Sequence, residues 1–228
     1  MIRKLAAAAT VLAIVAGVTV AMSSAHYSSG PLPSKTGAPS VGGTPSESRC
    51  TQCHLTFDEN GPVNNLNTPG GYVQVLDLPA LYSPGNTYTV RVRLWSDSTI
   101  ADTGRRWGFQ CTAVKASDGT GAGSFEVRST DSLQVIPADL SEPWPTRTYV
   151  EHTFDGIHAG ESGPAEWTFY WHAPAKPSGT VYFFAAGNAA NGSQDPSGDW
   201  IFTTADTVQD TTTAVRPVSW GGLKSRYR

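Results

Sequence analysis

The sequence predicts an all-β protein in the form of an antiparallel sandwich. Three observations favour this fold class. Apolar and polar residues alternate at the two-residue period of a strand with one buried face, as between residues 88 and 94. Clusters of Ser, Pro, Gly and Asn, such as residues 83–86, separate the short alternating segments. After the first 25 residues, the sequence lacks the pattern of a long amphipathic helix.

Eight or nine short strands are expected from this alternation. Apolar side chains share one face in a strand around Trp107 and Phe109, and in another around Trp167 and Trp171. Residues 181–186 are apolar on both faces, which is typical of a central strand. The shorter candidates are residues 72–78, 124–128, 133–136, 148–153 and 200–203.

The N-terminus has the features of a secretory signal. Arg3 and Lys4 precede an apolar stretch over residues 5–22, and small residues at 23–25 fit a cleavage site after Ala25. An uncleaved anchor helix is the alternative, because 18 apolar residues approach the length that spans a bilayer. No second apolar run follows. We therefore expect a mature protein that is secreted, periplasmic or at the cell surface, with no transmembrane segment.

The charge balance excludes one class of partner. The chain has 16 basic and 19 acidic residues, a net charge of −3, and no basic stripe. Nucleic-acid binding requires a cluster of positive charge, so no nucleic-acid partner is expected.

The sequence Cys50-Thr51-Gln52-Cys53-His54 carries the strongest chemical signal. CxxCH is the attachment pattern of c-type haem, in which both sulfurs bond covalently to the porphyrin and the histidine becomes the proximal iron ligand. A tight turn over the two intervening residues would bring both sulfurs to one porphyrin edge. The alternatives are a local Cys50–Cys53 disulfide and a zinc site. Zinc lacks a full ligand set here, since Cys111 lies on an apolar strand face and is expected to be a buried thiol.

The sixth iron ligand is left open by the residues alone. Met1 and Met22 both lie in the leader, so cleavage removes every methionine and excludes His/Met ligation. A lysine or N-terminal nitrogen and an open position remain, together with four histidines: His26, His152, His158 and His172. His26 would begin the mature chain, where a copper site is a further alternative. By spacing alone, His152 has little advantage over His172.

The chain divides into five segments on these grounds. Residues 1–25 are the signal peptide, and residues 26–49 form a flexible or extended arm rich in Ser, Gly and Pro. Residues 50–71 form a haem-attachment loop. The sandwich is expected over residues 72–215, followed by a tail over residues 216–228.

The ordered set of motifs resembles the bacterial family of choice-of-anchor V domain proteins, which is related to Reeler domains. The resemblance rests on residues 29–31 and 36–39, the CxxCH sequence, and residues 106–110, 149–153, 171–174, 185–192 and 198–201. It implies a Reeler-like or immunoglobulin-like β-sandwich with an N-terminal haem-binding loop. It also implies that the recurring histidine of the family, here His152, is the distal ligand. Where this chain has Cys111, the family usually has an aliphatic residue, which supports a core position.

Two Asn/Gly pairs each have two interpretations. Gly187-Asn188 and Asn191-Gly192 are typical turn residues, and packing against the haem edge is the alternative interpretation.

The function expected from the sequence is that of a secreted mono-haem c-type cytochrome. With His54 and His152 on the iron of one covalent haem c, it would exchange single electrons with an unidentified redox partner and would not be an enzyme. One alternative is a haem enzyme with an open iron position for peroxide or gas. The other is a haem-free secreted binding or adhesion module with a Cys50–Cys53 disulfide.

Overall fold

A computed structural model describes residues 29–58, 61–97, 104–128, 130, 132–193 and 195–212. Two β-sheets face each other, and a two-stranded hairpin lies beside them. The strands are β1 (Thr56–Asp58), β2 (Gly61–Val63), β3 (Gly71–Leu76), β4 (Leu81–Tyr82), β5 (Thr87–Ser96), β6 (Arg106–Lys115), β7 (Ser124–Glu126), β8 (Leu133–Pro137), β9 (Thr148–His152), β10 (Ala165–His172), β11 (Thr180–Ala190) and β12 (Trp200–Asp210).

The order of strands shows an antiparallel sandwich. One sheet has six strands in the order β4-β12-β11-β6-β9-β8, and the other has four in the order β3-β5-β10-β7. All pairs are antiparallel except β12 with the short β4. Each of the nine strand segments expected from the sequence is present. The all-β, antiparallel sandwich prediction is therefore confirmed.

Aromatic side chains from the two sheets fill the space between them. Phe109 of β6 packs on Trp167 of β10 with ring centroids 4.5 Å apart, and Trp171 meets Phe183 edge to face. Cys111 is fully buried in the same core, and burial raises the pKa of its thiol. β11 lies between β12 and β6, as its two apolar faces predict.

The expected flexible or extended arm is described over residues 29–49. Within it, residues 36–49 fold back on themselves around a turn at Val41–Thr44. The segment packs on the outer face of the six-stranded sheet, where Ala38 and Glu47 are buried. Glu47 forms an ion pair with Arg147 in which both side chains are fully buried. Composition predicted flexibility because Ser, Gly and Pro supply little apolar area. Burial of specific side chains offsets the ordering entropy of this segment.

Three short strands were not predicted. β1 and β2 form a hairpin inside the expected haem-attachment loop, and β4 joins the edge of the six-stranded sheet. The expected signal peptide, His26 and the tail over residues 216–228 lie outside the described residues. In the part of the chain that is described, no helix has the length and apolar character needed to cross a membrane.

Candidate functional site

The CxxCH sequence forms the tight turn that its spacing predicts. Cys50–Gln52 is a single 3-10 turn, and the Cys50 carbonyl accepts hydrogen bonds from the amides of Cys53 (3.1 Å) and His54 (2.9 Å). Both cysteines are free thiols, Cys50 half-buried and Cys53 exposed. Burial raises the pKa of the Cys50 thiol to about 12, so it is protonated at neutral pH.

The imidazole of His54 is held by a buried carboxylate. Its Nδ1 lies 2.6 Å from Oδ2 of Asp199, whose side chain is 3% exposed. The amide of Asn191 donates to the other carboxylate oxygen at 3.0 Å. An ionised carboxylate can only accept, so the proton of the neutral imidazole sits on Nδ1. His54 Nε2 therefore carries the lone pair, with the Asn188 amide nitrogen 3.4 Å from it.

The amide of Asn65 joins the two sides of this contact. Asn65 is buried, and its Nδ2 donates to the backbone carbonyls of His54 (3.0 Å) and Asp199 (2.8 Å). The hydroxyl of Thr56 also donates to the Asp199 carbonyl, at 2.8 Å. Residues that follow the cysteine turn are thus tied to the start of β12, which fixes His54 relative to the sheet.

Asn188 corrects one interpretation made from the sequence. Gly187 and Asn188 lie inside β11 rather than in a turn, and Asn188 Nδ2 is 3.1 Å from His54 Nδ1. Asn188 Oδ1 is the sole buried side-chain N or O atom of the described residues that has no hydrogen-bond partner. Asn191 and Gly192 do form the expected turn, in which Gly192 has a φ of 71°.

His152 ends β9 and is 7% exposed. The ladder between β6 and β9 stops at the pair Gln110 and Glu151. Beyond it, His152 Nδ1 lies 3.0 Å from the Phe109 amide nitrogen and 3.1 Å from the Phe109 carbonyl oxygen. The imidazole therefore occupies the next hydrogen-bonding position on β6. The Phe109 amide donates to Nδ1 in one tautomer of the ring, and Nδ1 donates to the Phe109 carbonyl in the other. In the second tautomer the lone pair of Nε2 is free.

Burial keeps His152 uncharged. Loss of solvent lowers the pKa of this imidazole to about 4. A neutral imidazole is the form that binds a metal ion.

Gly108 makes room for the His152 ring. A Cβ atom at this position would lie 2.7 Å from Cε1 and 3.0 Å from Nε2 of His152. Gly108 is paired with Asn188, while its neighbour Phe109 is paired with Gly187 and points into the core. Since alternate residues of a strand face opposite sides, Gly108 and Asn188 lie on the outer face of the six-stranded sheet.

A cleft of about 980 Å³ lies at this end of the sheet. Its lining includes Cys50, Cys53, His54 and His152 together. The volume is at the upper end of the range of about 300–1,000 Å³ that is common for small-molecule and cofactor sites. The lining also includes Leu32, Lys35, Arg49, Gly108, Phe154, Asp155, Asn188 and Asp199.

The walls of the cleft present apolar surface to solvent. Leu32 is 51% exposed and Phe154 is 60% exposed, although large apolar side chains are normally covered. Both line the cleft. A planar apolar ligand lying between the walls would remove this surface from water.

The other described histidines lie elsewhere. His172 is hydrogen-bonded to Glu126 (2.9 Å) and Thr87 (2.7 Å) on the four-stranded sheet, and His158 is bonded to Glu161 in a loop. Neither lines the cleft. Within the described ranges, no group of three or more His, Cys, Asp or Glu side chains is arranged to hold a metal ion by itself.

Sequence reasoning did not assign a role to Asp199 or Gly108. Both lie in segments used for the family resemblance, residues 198–201 and 106–110. An acidic residue directly before a strand was the available signal for Asp199. Its relation to His54, however, depends on folding over 145 positions of sequence.

The fold and the cleft together define the class of protein: an all-β sandwich with a histidine-lined cleft at one end of its larger sheet. No family model matches the chain, and no curated protein matches it. Among solved structures, it is similar to the reeler domain of human F-spondin (17% identity, TM-score 0.38, 62% of this chain and 89% of that chain). It is also similar to the Reelin-N domain of F-spondin (17% identity, TM-score 0.36, 69% of this chain and 94% of that chain). A third similar structure is a cohesin module from a Clostridium perfringens family 33 glycoside hydrolase (12% identity, TM-score 0.36, 63% of this chain and 98% of that chain).

Proposed function

We propose that this chain is an exported mono-haem c-type cytochrome that transfers single electrons. The observation that carries the proposal is that Cys50, Cys53, His54 and His152 line one cleft. CxxCH alone is a short pattern. A second, distant histidine in the same cleft, neutral and with Nδ1 already engaged, supplies the independent support.

The donor set of the cleft fits a haem. Two thiols on one turn suit two thioether bonds, and two imidazoles with engaged Nδ1 atoms suit axial ligation through Nε2. The exposed apolar walls, Leu32 and Phe154, suit the faces of a porphyrin. Lys35 and Arg49 in the same lining supply positive charge for carboxylates of the ligand.

Each residue has a distinct task in this proposal. Cys50 and Cys53 retain the cofactor covalently, His54 is the proximal ligand, and His152 is the distal ligand. Gly108 keeps the space for the His152 ring, and the apolar walls limit the access of water. A bound haem supplies a one-electron iron couple.

Electron transfer is favoured over catalysis by the number of available ligands. Two imidazoles would fill both axial positions, so no position is left for a substrate on the iron. Bis-histidine ligation also favours a lower reduction potential than His/Met ligation.

The deciding experiment is an intact mass combined with a visible spectrum. The protein should be exported in a host that matures c-type cytochromes. A mass increase of one haem and a low-spin c-type spectrum of the reduced protein are expected. A colourless product lighter by two hydrogens would overturn the proposal in favour of a haem-free module with a Cys50–Cys53 disulfide.

The distal assignment is tested by His152→Ala, with His172→Ala as the matched control. Removal of one axial imidazole should convert the spectrum from low spin to high spin and allow rapid carbon monoxide binding to the reduced protein. His172→Ala should leave the low-spin spectrum intact, because His172 bonds to Glu126 and Thr87 outside the cleft. Carbon monoxide binding to the wild type at the same rate would instead indicate an open position and a haem enzyme.

A further inference from the structure

Asp199 is a buried carboxylate in direct contact with the proximal histidine. From this contact we infer that Asp199 is a positioning residue that lowers the reduction potential of the haem through His54. The inference rests on the proposed cytochrome function. Through the reduction potential, Asp199 would affect which redox partners the cytochrome can reduce.

The contact has the geometry of a charge-assisted hydrogen bond. His54 Nδ1 donates to Asp199 Oδ2 at 2.6 Å, a short distance for N–H···O. Asp199 lies almost wholly out of solvent, and no Lys or Arg side chain forms a salt bridge with it among the described residues. Its charge is therefore balanced mainly by the imidazole and by two amide donors, the backbone of Asn191 and the side chain of Asn188.

The position of Asp199 is fixed from both sides. Asn65 and Thr56 bind its backbone carbonyl, and Asn191 binds the carboxylate oxygen that His54 does not use. Asn65 also binds the His54 carbonyl. The carboxylate and the imidazole therefore cannot easily move apart, so a change of charge at Asp199 acts on His54 rather than being absorbed by rearrangement.

Two effects of this carboxylate on the iron have the same sign. A partner that draws the Nδ1 proton makes Nε2 a more basic ligand, and a more basic ligand favours the ferric state over the ferrous state. The fixed negative charge in a desolvated site also favours the more positive ferric iron. Both effects lower the reduction potential. The backbone carbonyl beside His152 carries no net charge and exerts only the first effect, more weakly.

The experiment compares Asp199→Asn with Asp155→Asn in the haem-loaded protein. The amide introduced by Asp199→Asn retains an oxygen that can accept from His54 Nδ1, but the charge is removed. We expect at least a tenfold shift of the iron equilibrium toward the ferrous state, which is a rise of about 59 mV for one electron. Asp155 lines the same cleft and loses the same charge in its variant, without a hydrogen bond to His54. The reduction potential of Asp155→Asn should rise by less than half as much as that of Asp199→Asn.

The readouts separate this inference from the proposed function. A wild type without haem overturns the proposed function. The Asp199→Asn protein can bind haem, remain low-spin and still show a reduction potential that differs from the wild-type value by no more than that of Asp155→Asn. This result overturns the role of Asp199 and leaves the proposed function standing. If Asp199→Asn does not accumulate, Asp199→Glu decides: its longer side chain cannot keep the 2.6 Å contact, so the potential should rise while the charge remains. A potential equal to that of the wild type in this variant would also overturn the inference.

Discussion

Two polar clusters lie where the N-terminal segment meets the six-stranded sheet, and they differ in how completely their atoms are bonded. The closed cluster consists of Glu47, Arg147 and Tyr149 with the hydroxyls around them. Arg147 donates to Glu47 (2.5 Å), to the Gly119 carbonyl (3.0 Å) and to Thr44 (3.0 Å). Tyr149 donates to Glu47 at 2.8 Å, and Ser34 and Thr36 complete the set.

The open cluster consists of His54, Asp199, His152 and Asn188. In both histidines Nδ1 is engaged, and Asn188 Oδ1 has no partner among the described residues. This cluster faces a cleft, whereas the closed cluster faces only protein.

The difference separates stability from ligand binding. A buried polar network in which every donor has an acceptor holds two parts of a chain in one arrangement. A network that leaves some side-chain nitrogen and oxygen atoms without protein partners beside a cleft is suited to bind a ligand there. Substitutions in the first cluster should change stability with little effect on the spectrum, and those in the second should do the reverse.

The largest effect on stability is expected from Arg147→Met. It leaves the Glu47 carboxylate buried without its cation, which destabilises the protein by about 3–5 kcal/mol. Urea unfolding measures this change. In the proposed cytochrome, the low-spin spectrum of the protein that remains folded should be unaltered.

A matched double variant checks the cause of that effect. Glu47→Leu combined with Arg147→Met removes both charges, so it should be less destabilised than Arg147→Met alone. A double variant that is less stable than the single variant would show that the hydrogen bonds, and not the stranded charge, are decisive.

An intermediate effect, dependent on pH, is expected from Glu151, which lies on β9 between the two clusters. Burial raises the pKa of its carboxyl to about 7, although Gln110 and Gln134 each donate to it at 2.8 Å. The folded state binds this proton more tightly than the unfolded state. The stabilising contribution of the protonated Glu151 carboxyl is therefore full below the ordinary pKa of about 4.5. This contribution is lost as the pH rises through 7.

Glu151→Gln removes this titration. Relative to the variant, the wild type should lose about 3 kcal/mol of unfolding free energy between about pH 4.5 and pH 7.5, at about 1.36 kcal/mol per pKa unit. Taking the difference between the two proteins cancels the contribution of His152, which is present in both. Parallel stability curves over this pH range would contradict the prediction.

The smallest effect on stability, with the largest change in spectrum, is expected from Gly108→Ala. The new Cβ would press on the His152 ring, so the imidazole must leave Phe109 or shift in the cleft. Overpacking of this kind costs about 1–3 kcal/mol. In the proposed cytochrome, the displaced imidazole should convert the haem spectrum to high spin.

The matched control is Gly108→Ala in a His152→Ala background. With the imidazole gone, the same Cβ meets no ring, so the cost in stability should fall. An equal cost in both backgrounds would mean that Gly108 serves the strand itself and not His152.

The strands of the sandwich and the chemistry of the cysteine turn could be predicted from the sequence, because both depend on residues close together in the chain. Alternation over a few positions identified nine strands, including β6 with Cys111 in the core. The CxxCH spacing predicted the turn over Cys50–Gln52. The short strands β1, β2 and β4 are too brief to show a period.

The site beyond the motif could not be predicted in the same way. Spacing gave His152 little advantage over His172; the family resemblance selected it, and the fold brings it to the same cleft as His54. Asn188 looked like a turn residue because Gly-Asn is common in turns, but pairing on both sides of β11 overrides that local preference.

The sequence by itself determined what is local: the alternation of the strands, the two sulfurs on one turn, and the histidine beside them. Only the tertiary structure decided that the N-terminal segment is packed, that Asp199 holds His54, and that Gly108 leaves space for His152. The physical reason is that these contacts join residues far apart in the chain. Their geometry depends on the order and register of strands in the six-stranded sheet, which no short window of sequence contains.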